Sequence, residues 1–147
     1  GGKTQVNVIR SLVKSLKIDY AQFQELEIFT RFSSATDEHS LKIIEHGRRI
    51  RTVLKQKQYM PVPLAEQLVI LFALKEKILD KISLEDVERF KEGLGDWIKE
   101  KALTIVRRII DNDIIEPEDH KIMVGLLCRY GQEFKSYAGD ENDVSQT

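Results

Sequence analysis

Two carboxamides stand one residue apart in Leu54-Lys55-Gln56-Lys57-Gln58-Tyr59-Met60-Pro61, a polar stretch between two apolar helical runs. A glutamine amide carries a donor and an acceptor side by side, the pattern presented by the edge of an adenine ring. In a turn, Gln56 and Gln58 can approach one ring, whereas a rigid helix would splay them. Solvated surface glutamines are the plainer reading of the same residues, because connecting segments run over the surface.

Other constellations are weaker. Gly2-Lys3-Thr4 resembles the end of a phosphate-binding loop, but the preceding glycine, the supporting strand and a later parallel sheet are missing. His39 and His46 are two helical turns apart and His120 lies elsewhere, so no metal site is expected and the histidines read as solvated helix positions. Cys128 has no neighbouring base to activate it, and its apolar run Met123-Val124-Gly125-Leu126-Leu127 marks it as a small buried hydrophobe. As a lone cysteine it forms no internal disulfide, which suits a reducing compartment. Glu85, Glu88 and Glu92 share one helical face without the asymmetry that would separate an acid from a base. No catalytic residue is therefore expected. Arg48, Arg49, Arg51, Lys55 and Lys57 form a dense basic cluster, but only Tyr59 is nearby to stack on a base. The cluster reads as a helix flank meeting an acidic neighbour, and no nucleic-acid partner is expected.

The elements that must carry these residues are helical throughout. Val6, Ile9, Leu12, Val13 and Leu16 recur at three- and four-residue steps, which predicts a helix over 3–16. Asp19 is expected to cap a second helix ending near Phe32, and Thr36 or Asp37 a third, through Leu54. Pro61 and Pro63 stop it, and Pro63 opens a fourth helix to about Leu79. Ser83-Leu84-Glu85-Asp86 reads as a capping box before a long stripe to Ile109, weakened at Gly93 and Gly95, where a bend or a break is expected. Glu116-Pro117-Glu118-Asp119 opens a last helix to about Phe134. Neither strand alternation nor a fixed-period repeat is visible. The expected fold is an all-α bundle of six to seven helices with orthogonal or antiparallel packing, one domain over 1–138 and a disordered tail over 139–147.

At 147 residues with 41% hydrophobic and 32% charged side chains, the chain can bury a core without metals or disulfides and is not disordered. Its longest apolar run, Leu68 to Leu74, is too short for a membrane span, and no signal-peptide pattern opens the chain. The net charge of −1 conceals a division. Residues 1–63 hold 11 Lys and Arg against 6 Asp and Glu, and residues 64–147 hold 12 against 18. Such a dipolar molecule suits docking between neighbours better than wrapping a polyanion.

Three segments carry a resemblance. Asp19-Tyr20-Ala21-Gln22-Phe23-Gln24-Glu25-Leu26, the Gln56 and Gln58 stretch, and Ile82-Ser83-Leu84-Glu85-Asp86-Val87-Glu88-Arg89-Phe90 resemble, in order and spacing, the C-terminal helical domain of the α-subunit of F-type ATP synthases. That family writes them D-L-A-Q-Y-R-E-L, L-K-Q-x-Q-Y-x-P and I-P-V-E-D-V-R-R-F-E. Gly1, Gly2 and Gln5 match the family's segment just after an arginine that reaches the neighbouring catalytic site. The resemblance implies a non-catalytic, regulatory subunit of a proton- or sodium-translocating ATP synthase. It would alternate with β-subunits around a rotating γ-subunit, with Gln56 and Gln58 beside the adenine of the non-catalytic nucleotide. ATP and magnesium are then expected in the full-length subunit and none in the isolated domain, which would be a monomer or weak dimer. The implied location is peripheral to the membrane without insertion, on the cytoplasmic face in a prokaryote or the matrix or stromal side in an organelle. Where the family usually has A-G-x-x-G-Y-L-D, this chain has Ala73-Leu74-Lys75-Glu76-Lys77-Ile78-Leu79-Asp80. Losing both glycines is expected to extend the fourth helix, and it suggests a divergent, alternative branch. A free-standing helical interaction module is the other reading.

Overall fold

The computed structural model describes residues 7–32, 37–55, 60–61 and 63–146, with side chains as far as Phe134. All regular structure among them is helical, as expected. The elements are α1 (Asn7–Phe32), α2 (Glu38–Ile50), a π-helical turn (Arg51–Lys55), α3 (Leu64–Lys75), a 3-10 turn (Leu79–Lys81), α4 (Leu84–Glu92), α5 (Leu94–Trp97), a second π-helical turn (Ile98–Ala102), α6 (Leu103–Asn112) and α7 (Pro117–Gln146).

The bundle is built around α3. Its residues from Leu68 to Leu74 are all buried, and a helix that is apolar all round can be stable only inside. α1 and α5 pack on it, as does α6, whose buried stripe is Ile105, Val106 and Ile109. Against α1 lies α2, where Gly47 meets the ring of Phe23 so closely that any side chain at 47 would overlap it. Glycine is required there by the approach of two helices.

Two of the expected helices are one. α1 runs unbroken past Asp19, because nothing from Lys17 to Tyr20 forbids helical geometry. Asp19 is a mid-helix residue whose carboxylate is used laterally. The cap of α1 comes instead from far along the chain: the Asp113 carboxylate accepts from the backbone N–H groups of Asn7 and Val8, both at 3.0 Å. Asp37 and Ser83 do cap α2 and α4, accepting from Ser40 N–H and Asp86 N–H. The bond from the Ser40 backbone holds the Asp37 carboxyl below its ordinary pKa. Asp86 does not complete a capping box with Ser83; it takes the Arg89 guanidinium at 2.8 Å. The stripe from Ser83 breaks at Gly93, where a methyl would collide with the hydroxyl of Tyr130. That hydroxyl donates to Phe90 C=O at 2.8 Å, and the ring stacks on Trp97. The last helix continues past Phe134 to Gln146.

The fourth helix is not extended by the loss of glycines. α3 ends at Lys75, with Ile78 N–H on Ala73 C=O at 2.9 Å and Lys77 N–H on Leu74 C=O at 3.1 Å. This is a Schellman ending, and its left-handed position is held by Lys77 at φ 65°. The burial of Leu74, Ile78 and Leu79 fixes the turn whatever residue stands at 77.

A lysine at this left-handed position works against the preference of an L-residue, so Lys77→Gly is expected to stabilise the chain by about 1 kcal/mol, measured by urea denaturation. Burial lifts the Tyr130 phenol from 10.0 to about 12, with help from the nearby Glu133 carboxylate. Because the folded state resists ionisation, its contribution to stability is whole below pH 10 and is lost as pH rises through 12. Tyr130→Phe, which cannot ionise, should show a flatter fall in melting temperature over that interval than the parent chain.

Candidate functional site

The segment holding Gln56 and Gln58 leaves α2 through the π-helical turn Arg51–Lys55 and returns at Met60. Gln56, Gln58 and Tyr59 themselves lie outside the described residues, as do Gly1, Gly2, Lys3, Thr4 and Gln5. What the structure gives is the frame on both sides. Ile50 and Val53 are buried at the end of α2 and in the π-helical turn, and Met60 and Pro61 are half-buried before Pro63 opens α3. The Arg51 guanidinium donates to the Tyr20 hydroxyl at 2.9 Å and to Glu27 at 3.0 Å while lying over the Phe23 ring. These bonds, that to Tyr20 first, raise its pKa further above the ordinary arginine value. Lys55 lies over the Tyr20 ring, 5.3 Å from its centre. The last turn before Gln56 is therefore clamped to α1 by two cations on one tyrosine.

The basic cluster is largely spent inside the chain. Arg49 is only 6% exposed; it donates to the backbone carbonyls of Leu79 (3.1 Å), Ile82 (2.7 Å) and Glu45 (3.0 Å) and pairs with the Glu45 carboxylate. Arg48 takes the other oxygen of Glu45 at 2.9 Å. The acidic neighbours expected of this flank are residues of the same chain, Glu45 and Glu27.

His46 is not a solvated position. It is 6% exposed, with Nδ1 2.9 Å from Asp80 Oδ1 and Nε2 3.3 Å from Asp19 Oδ2, and Lys75 Nζ reaches the same Asp19 oxygen at 3.2 Å. The imidazole thus ties α2 to α1 and to the 3-10 turn. No local signal in the sequence could have found this group, because its members are separated by 27 and 34 positions. His39 is exposed, and His120 pairs with Glu76 at 2.9 Å with its ring edge-on to Phe72. Among the described residues no group of three or more His, Cys, Asp or Glu is placed to hold a metal ion. Cys128 is exposed, against the expectation of burial, because Met123, Leu127 and Tyr130 take the inner face of α7.

Residues 5–128 match the family model of the ATP synthase alpha/beta chain, C-terminal domain. The chain belongs to that family. Its similarity is to alpha chains of ATP synthase: it is 40% identical over 136 residues to ATP synthase subunit alpha 1 of Marinomonas sp. (strain MWYL1), covering 92% of this chain and 27% of that protein. To ATP synthase subunit alpha 2 of Nitrosospira multiformis it is 47% identical over 124 residues, 84% of this chain and 24% of that one. With subunit alpha 1 of Psychromonas ingrahamii the identity is 33% over 147 residues, all of this chain and 28% of the other. The chain spans about a quarter of the length of these relatives. No helix of the ATP synthase domain, among the described residues, is long and apolar enough to cross a membrane.

Removing Arg49 would orphan buried carbonyls on the Leu79–Ile82 turn. Arg49→Ala is expected to cost about 3 kcal/mol in denaturant unfolding, against about 0.5 kcal/mol or less for Arg48→Ala on the exposed side of the same helix.

Proposed function

We propose that this chain is the C-terminal part of the non-catalytic alpha subunit of an ion-translocating ATP synthase, peripheral to the membrane in a ring where alpha and beta alternate around gamma. The observation that carries the reading is the family match over residues 5–128, joined to relatives that are themselves alpha subunits. In this role the domain performs no chemistry. It holds ring contacts in register and lends Gln56 and Gln58 to the adenine edge of the nucleotide at the non-catalytic site.

The clamp before Gln56 favours that assignment. A recognition turn discriminates only if its ends are fixed, since the ordering cost must otherwise be met on binding. Ile50, Val53 and Arg51 fix one end, and Pro61 with Pro63 stiffens the other. Two amides can each present a donor and an acceptor to the adenine edge, which separates adenine from guanine. Among the described residues no group of three or more His, Cys, Asp or Glu is placed to hold a metal ion, so magnesium is assigned to no residue of this chain.

The test is made in a complete alpha subunit assembled with its partners. Gln56→Ala with Gln58→Ala should weaken adenine nucleotide retention at the non-catalytic sites by about tenfold, for the loss of one to two hydrogen bonds, with assembly intact. Nucleotide content after gel filtration reads this directly. Unchanged retention would remove the adenine role while leaving the family assignment in place.

A further inference from the structure

A cleft of about 620 Å³ lies between α1, α2 and the turn after α3. That volume is in the range of small-molecule sites. Its inner end is the His46 group, whose members already engage one another: Asp80 lies on one ring nitrogen, and Asp19 on the other and on Lys75. Its outer parts are different. Lys77 and Lys81 line it, and neither side chain has an ion-pair or hydrogen-bond partner among the described residues. Lys42 and His39 line it as well. Lys42 has only Glu38 at 3.9 Å, in a pair largely open to water, which holds it weakly. Leu41 and Ile43 add an apolar portion, and Leu41 is 49% exposed.

Lys77 makes the cleft more than a charged surface. It occupies a left-handed helix-end position where glycine would be free of strain, and the turn is formed by buried neighbours that do not need a lysine. Backbone strain of this kind collects at functional positions. The strained residue is also one of the cations lining the cleft.

We propose that this cleft binds a small multivalent oxyanion bearing a short apolar portion, with Lys77, Lys81 and Lys42 as its counter-charges and Leu41 and Ile43 as its apolar wall. The shared chemistry is two or more anionic oxygens within reach of three ammonium groups. It can come from a phosphate compound or a polycarboxylate. Two further carboxylates line the cleft: Glu45 is engaged by Arg48 and Arg49, and Glu38 opposes the anion, which favours a ligand seated toward Lys77 and Lys81.

The experiment titrates the 147-residue chain by calorimetry with phenyl phosphate and pyrophosphate in one arm and citrate and benzylsuccinate in the other, at about 0.15 M salt so that diffuse attraction is screened. Saturable one-to-one binding in either arm is expected, and the arm that binds names the source. Lys77→Gly should weaken it at least about fivefold while raising the melting temperature. Lys14→Gln with Lys17→Gln, on the outer face of α1 and away from the cleft, should leave affinity unchanged. The proposal is overturned by absence of saturable binding in both arms, by equal loss in the Lys14 and Lys17 variant, or by a Lys77→Gly chain that binds as well as its parent. A Lys77→Gly chain no more stable than its parent would overturn the argument from strain.

Discussion

The close crossing of α1 and α2 at Gly47 is the constraint on which the rest of this fold rests. With the Phe23 ring seated against a backbone that bears no side chain, residues on either side of Gly47 come within reach of other elements. His46 meets Asp19 and Asp80, Arg49 meets the carbonyls of Leu79 and Ile82, Ile50 enters the core, and Arg51 meets Tyr20 and Glu27. Within two turns, one helix therefore fixes the turn after α3 and the departure of the segment that follows Lys55. Charged groups do much of this joining. Each is engaged by several partners, the condition under which a half-buried charge strengthens a fold.

The helical periods, the caps at Asp37 and Ser83, the proline start of α3 and the break near Gly93 were legible because each depends on residues a few positions apart. Lys17-Ile18-Asp19 misled because aspartate is both a good cap and an acceptable mid-helix residue when it has lateral partners. Those partners, Lys75 and His46, are remote in the chain. The turn after α3 misled for a related reason. Missing glycines argue for a longer helix by local preference, yet burial of Ile78 and Leu79 outweighs about 1 kcal/mol of backbone strain. Arg48, Arg49 and Arg51 look alike in sequence, but only tertiary packing distinguishes the buried clamp from its exposed neighbour.

The proposed adenine site rests on a different kind of signal. Gln56 and Gln58 stand out by residue type and by the resemblance they carry, and the family match supports the context in which they were noticed. The cleft beside Lys77 was illegible, since it is assembled from three separated stretches. The positive first part and negative second part of the chain also look different once folded. Many of the arginines that make the first part basic are answered within it, leaving lysines as much of its free charge.

The Asp113 carboxylate that closes the start of α1 has a consequence in time. During synthesis α1 is made before the other helices described here, but Asp113, which accepts from its opening N–H groups, follows 105 positions after Val8. At ribosomal speeds that is a delay of roughly 5 to 20 s, during which the first turn of the helix lacks the Asp113 carboxylate. The opening of the longest helix outside α7 is thus completed only when the end of α6 has been made. The Asp113 side chain joins the start of α1 to the end of α6, and a nascent chain stalled before Asp113 would contain all of α1 to α6 while the first turn of α1 stayed unlatched.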